Sequence, residues 1–116
     1  MRNSENIWSF ETANFRAEFN VAPDDDLDLS WDDDGLTREG LESGKYVAFV
    51  AEVRVIHKAT GATLGADYLS GCIYESAQQF RKETNGYFDD MIHEAVASAR
   101  REVAKMKSIN LRAVKA

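Results

Sequence analysis

Between Tyr46 and His57 apolar side chains fall on every second position, at Val47, Phe49, Ala51, Val53 and Val55, with Glu52 and Arg54 standing between them. Successive side chains of a strand point to opposite faces, so this run predicts a β-strand with one hydrocarbon face and one charged face. Such a strand belongs in the middle of a sheet whose apolar face is covered. The rest of the chain has to supply its neighbours and the cover.

Neighbours are visible on both sides. From Ile7 to Val21 aromatic and polar residues alternate, but Trp8 and Phe10 are even-numbered while Phe15, Phe19 and Val21 are odd. A period of two cannot change parity without an extra residue, which predicts either a bulged strand or two short strands broken near Ala13 and Asn14. Pro23 and the aspartates after it predict a turn, and Leu27, Leu29 and Trp31, alternating with Asp28 and Ser30, predict a short strand or an extended edge with one buried face. Asp32 to Gly44 is polar and predicts a mobile loop with one helical turn over Thr37 to Glu42, closed by Gly44. Ala59 to Ala62 predicts a hairpin into a strand running from Thr63 toward Tyr68, with Gly65 and Gly71 marking bends or close backbone approaches.

The cover comes last. Ser76 to Glu83 predicts a short helix with Ala77 and Phe80 inward, stopped at Asn85 and Gly86. Phe88, Ile92, Ala95, Val96, Ala99, Val103 and Met106 then follow the spacing of a single buried helical stripe. Asp89 and Asp90 sit in its first turn and Arg100, Arg101, Lys105 and Lys107 toward its end, as the helix dipole favours. Strands first and helices last predict an α+β fold, an antiparallel sheet of three to five strands with two C-terminal helices packed on one face. At 116 residues, one domain spanning 1–116 is the expectation.

Charge is distributed unevenly. Residues 1–44 hold 12 acids against 3 bases, and residues 45–116 hold 8 acids against 11 bases. Seven aspartates fall within Asp24 to Asp34. This argues against direct nucleic-acid binding by the first half. No apolar stretch approaches the length of a membrane span, and Met1 to Asn6 is polar where a signal peptide would begin, so a cytoplasmic protein without membrane attachment is expected. A single cysteine, Cys72, excludes a disulfide within one chain and suits a reducing compartment.

The motifs that carry chemistry are missing or broken. If Gly35 took the sixth place of a calcium-binding loop, Ser30 would be first and Leu41 twelfth, where Asp and Glu are required. His93 and Glu94 begin a zinc-helix signature, but Ala97 stands where its second histidine should be. No glycine-rich phosphate loop occurs. Cys72, His57 and His93 are not linked by any spacing that implies catalysis, and Cys72 reads as a small buried filler. The sequence therefore predicts no catalytic residue, no metal site and no cofactor.

Three clusters, in order and spanning most of the chain, resemble a family of small uncharacterised proteins encoded by bacteriophages and mobile elements. They are Trp8, Phe10, Thr12 and Phe15; then Leu64, Gly65, Asp67, Leu69, Cys72 and Tyr74 with Phe80; and finally Tyr87, Phe88, Asp90, Met91, Ile92, Ala95, Ala99 and Arg100. Asp89 stands where those relatives often have a proline. The resemblance implies a context in which small acidic proteins bind and block host proteins, CRISPR and restriction machinery included.

The leading expectation is a non-enzymatic acidic binding protein, an inhibitor of a host defence protein of anti-CRISPR or anti-restriction type that works by nucleic-acid mimicry. Its face would comprise Asp24, Asp25, Asp26, Asp28, Asp32, Asp33 and Asp34, with Glu39, Glu42 and an aromatic anchor, Trp31, meeting a basic surface on a protein partner. Two other readings stand beside it. One is a small-molecule or nucleotide-binding domain with a pocket near Asp67, Tyr68, Cys72 and Tyr74. The other is a homo-oligomer, a self-associating module in which the acidic half meets the basic helix end of a neighbour.

Overall fold

The computed structural model describes residues 3–83 and 86–115, and side chains as far as residue 108. Four strands, β1 (Glu5–Glu11), β2 (Phe15–Pro23), β3 (Val47–His57) and β4 (Thr63–Tyr74), form one antiparallel sheet in the order β1-β2-β3-β4. Helix α1 (Leu36–Ser43) lies in the β2–β3 connection, and α2 (Ala77–Lys82) and α3 (Tyr87–Lys115) follow the sheet. The architecture is α+β, as the order of patterns predicts.

The parity change between Trp8 and Phe15 is resolved at the turn between β1 and β2, where Thr12 Oγ1 accepts the Phe15 N–H at 3.2 Å. From this turn Phe10 pairs with Ala17 and Trp8 with Phe19, which places Trp8 and Phe10 on the face shared by Phe15, Phe19 and Val21. A bulge at Ile7 then shifts the register so that Asn6 meets Asn20. Residues 27–31, in contrast, form no strand. They run through consecutive turns, with the Asp32 N–H on the Leu29 carbonyl and the Asp33 N–H on that of Trp31, both at 3.0 Å. The helical turn expected over Thr37 to Glu42 is present as α1, extended to Leu36–Ser43, and Gly44 closes it as expected at φ 82°, a left-handed conformation that glycine adopts without strain.

The core fills the space between the inner face of the sheet and the two C-terminal helices. Phe19, Ala51 and Val53 are fully enclosed there. Phe80 of α2 sits among Phe19, Phe49 and Tyr74, at ring separations of 5.6, 5.8 and 5.1 Å, and Phe19 meets Phe88 of α3 at 5.2 Å. The buried stripe of α3 is Phe88, Met91, Ala95 and Ala99, with Ile92 and Val96 half-buried at its flank. Gly65 of β4 is where the helix backbone touches the sheet. A Cβ at that position would overlap the Ala95 carbonyl and the Ala99 backbone nitrogen, neither of which can swing aside.

Helix α3 overruns the sheet. Its 29 residues span about 44 Å at 1.5 Å per residue, and the molecule measures 65 × 26 × 26 Å. The radius of gyration, 17.8 Å, exceeds the roughly 13 Å of a compact chain this long, because the last turns extend past β2 and β3.

Candidate functional site

The acidic segment leaves β2 at Pro23 and is tied down by its own carboxylates. Asp24 Oδ2 accepts the N–H of Gly71 on β4 at 2.7 Å, and its Oδ1 accepts that of Asp26 at 3.1 Å. Asp28 takes the Ser30 N–H at 2.9 Å, and Asp34 takes that of Leu36 at 3.1 Å. Gly35, in the N-cap position of α1, has no side chain with which to cap it. Asp32 does so from three residues upstream, accepting from Thr37 at 3.2 Å and Arg38 at 3.0 Å. Short aspartate side chains are suited to this role, reaching backbone N–H groups a few residues on and turning the chain.

These bonds leave the charge in place. The Ser30 N–H holds the Asp28 carboxyl below the usual carboxylate range, and the Arg38 N–H, helped by Thr37, does the same for Asp32. Both stay ionised to lower pH than an ordinary aspartate. Asp25, Asp26, Asp33, Glu39 and Glu42 are exposed, so the expected binding residues lie on an ordered excursion at one end of the sheet. Trp31 is 59% exposed, its indole Nε1 donating to the Asp28 carbonyl at 2.9 Å while the ring faces outward.

Trp31 also borders a shallow hollow of about 350 Å3 with Leu69, Gly71, Cys72, Tyr74 and Tyr87. Of the four residues expected to share a small-molecule pocket, Cys72 and Tyr74 line this hollow and Asp67 and Tyr68 do not. Tyr68 lies on the opposite face of the sheet, across from Glu52. The chemistry-bearing side chains are likewise dispersed. Cys72 pairs with Phe49 near one end of β3, whereas His57 ends that strand eight residues on, about 26 Å away along it. His57 Nδ1 is bonded to Thr60 Oγ1 at 2.9 Å, and His93 is exposed on α3. Burial pushes the Cys72 thiol up to about 11, so it stays protonated and unreactive near neutrality. No three His, Cys, Asp or Glu side chains among the described residues are grouped to hold a metal ion.

A second cluster, not foreseen from the sequence, occupies the outer face of the sheet. Asn6, Asn20, Glu52 and Tyr68 lie in register across all four strands, with Ser9, Glu18, Arg54 and Ala66 as the next row. Asn6 donates to Asn20 at 2.9 Å, and Asn20 Nδ2 donates to Glu52 at 3.0 Å and to Glu18 at 3.3 Å. Arg54 Nε donates to Glu18 at 3.0 Å, and Arg16 Nε lies 2.9 Å from its other oxygen. The Tyr68 hydroxyl donates to Glu52, which raises the pKa of the phenol. Glu18, Asn20 and Glu52 are 8, 5 and 4% exposed, with Arg16 and Arg54 paired to Glu18 and Tyr68 bonded to Glu52. Burial alone would raise the Glu18 pKa, but hydrogen bonds from Asn20 and Arg54 and the charges of Arg54 and Arg16 outweigh it and leave the carboxyl below its ordinary value. A carboxylate so held is a poor general acid. Its role is to fix strand register.

The uneven charge of the sequence becomes a spatial polarity. Asp24 is fixed beside Ala48 and Gly71 at one end of the sheet, while Lys107 stands beside Phe15 and His57 at the other. No helix among the described residues is long and apolar enough to cross a membrane. Comparison with protein families, with curated proteins and with solved structures finds no match to this chain, so its own geometry carries the functional argument.

Proposed function

We propose that this protein acts by binding and not by catalysis, docking its acidic end on a basic groove of a partner protein. The observation that carries the reading is the ordered loop from Asp24 to Asp34. Bonds from Asp24, Asp28, Asp32 and Asp34 to backbone N–H groups shape it, those to Asp28 and Asp32 favour their ionised form, and Asp25, Asp26, Asp33 and Trp31 are exposed on it. A pre-ordered loop loses little entropy on docking, and an exposed aromatic among acids is a suitable anchor. Clustered carboxylates accelerate association with a basic surface and make it salt-dependent. The wide separation of Cys72 and His57 along β3 gives no support to a cysteine–histidine catalytic pair.

The sharper form of the proposal is inhibition by nucleic-acid mimicry, in which the partner's groove normally holds a phosphate backbone. The resemblance to phage and mobile-element proteins motivates it, with a host defence protein as the target. Affinity capture from bacterial lysate at low and high salt tests the general reading. The expected result is a specific protein with a basic surface that salt elutes, and capture of none at either salt removes the reading. Competition by duplex DNA or RNA for the captured partner tests mimicry, and simultaneous binding of protein and nucleic acid rules it out.

A further inference from the structure

Where α3 leaves the sheet it stands off from the β1–β2 hairpin and opens a cleft of about 540 Å3. Phe10, Phe15, Val55, Val96, Ala99 and Val103 make its walls. The cleft lies at the basic end, remote from the acidic loop, and apolar side chains remain open to water around it: Phe10 is 58% exposed and Met106 46%. Its volume is that of a small-molecule site, and so is its chemistry, hydrocarbon walls with a few polar groups at the margin.

Besides Thr12, those polar groups are two cations. Arg100 and Lys107 both border the cleft, and on a helix residues seven apart share a face two turns distant from each other. Some cations are spent on carboxylates, Arg16 and Arg54 on Glu18, Lys58 on Glu11 and Arg101 on Glu94, while Arg38, Lys45, Arg81, Lys82 and Lys105 lie away from the cleft without an ion pair among the described residues. Arg100 and Lys107 form no ion pair among the described residues. Uncommitted positive charge beside an apolar trough is complementary to one kind of molecule, an anion with a hydrocarbon tail.

We propose that this cleft binds a monomeric alkyl carboxylate, its chain along Phe15, Val55 and Val103 and its head group held by Arg100 and Lys107. The site is independent of the proposed acidic docking face and stands or falls separately from it.

Titration calorimetry of the full chain with hexanoate, octanoate and decanoate, below their micelle concentrations, tests the assignment. Affinity is expected to tighten roughly fourfold per added methylene while the chain still has wall to cover. Decanol, which lacks the charge, is expected to bind about tenfold more weakly than decanoate. Replacing Arg100→Gln and Lys107→Gln together is expected to remove that tenfold preference and leave decanol binding unchanged, a pattern that a loss of folding would not give. Amide shifts confined to residues around Phe15 and Val103 would place the ligand. The proposal is overturned by affinity that does not depend on chain length, by a carboxylate preference that survives the double substitution, or by amide shifts elsewhere. It is equally overturned if only vesicles bind, or if light scattering shows a dimer that Val103→Glu dissociates, since the cleft would then be a membrane contact or covered by a second copy.

Discussion

Two groups of carboxylates in this molecule receive opposite treatment. On the outer face of the sheet Glu18 and Glu52 are enclosed, and their oxygens are taken by Asn20, Arg54, Arg16 and Tyr68. At the acidic end Asp24, Asp28, Asp32 and Asp34 bond mainly to backbone N–H groups, joined at Asp28 and Asp32 by the Ser30 and Thr37 hydroxyls, and Asp25, Asp26 and Asp33 bond to none of the described groups through their side chains. The first arrangement neutralises charge and holds strands in register. The second shapes a loop without cancelling its charge. Side-chain partners spend a carboxylate, whereas backbone partners position it.

The largest expected effect follows from breaking the enclosed group. Asn20 supplies a shared donor to two glutamates, so Asn20→Ala leaves both short of a partner and is expected to cost about 3 kcal/mol in urea unfolding. A loss under about 1 kcal/mol would mean that water replaces the amide and that this face is looser than its burial implies.

A smaller effect is expected where a positioning carboxylate is removed. Asp24→Ala deletes the bond to Gly71 that straps the loop to β4, and a loss of about 1 kcal/mol is expected. Hydrogen exchange should quicken at Gly71 and Asp26, while the N–H groups inside β3 remain protected.

Acid titration sharpens the comparison. Asp28 and Asp32 have pKa values below those of free aspartate, so their contribution to loop order is present above the ordinary carboxylate range and is lost only as pH falls through their lowered values. Trp31 fluorescence, read in a Trp8→Phe background, is expected to stay constant through the usual aspartate range near pH 4 and to change below it. A transition centred at pH 4 or above would show that the backbone N–H groups do not hold these carboxylates.

The smallest effect on stability is expected at the projecting residues. Asp25→Asn, Asp26→Asn and Asp33→Asn together should change unfolding free energy by less than about 0.5 kcal/mol, as surface substitutions without partners do. If stability instead falls by more than about 1 kcal/mol, those side chains are structural and the distinction between the two groups fails.

Much of the scaffold was legible in the sequence because its signals are periodic. Val47 to Val55 marked the central strand, the stripe on α3 marked the cover, and Gly65 marked a bend or a close backbone approach, of which the structure shows the approach, at the helix crossing. The short alternation at Leu27, Leu29 and Trp31 misled, because aspartate bonds to neighbouring N–H groups won over strand pairing. Met91 took the buried place expected of Ile92, a shift of about 100° around the helix that spacing alone does not fix. The lattice of Asn6, Asn20, Glu18, Glu52 and Arg54 was invisible for a different reason. Its partners lie on different strands, and only the register, set in part by the bulge at Ile7, brings them together. The acidic residues were easy to find in sequence, but which of them shape the loop and which only display charge required the bonding pattern.

The most direct test of the central claim is the association rate with the captured partner, compared between the native chain and the Asp25→Asn, Asp26→Asn, Asp33→Asn variant at low salt. The account predicts at least a tenfold slower association for the variant, a nearly unchanged dissociation rate, and convergence of the two proteins at high salt. Equal association rates at low salt would contradict it.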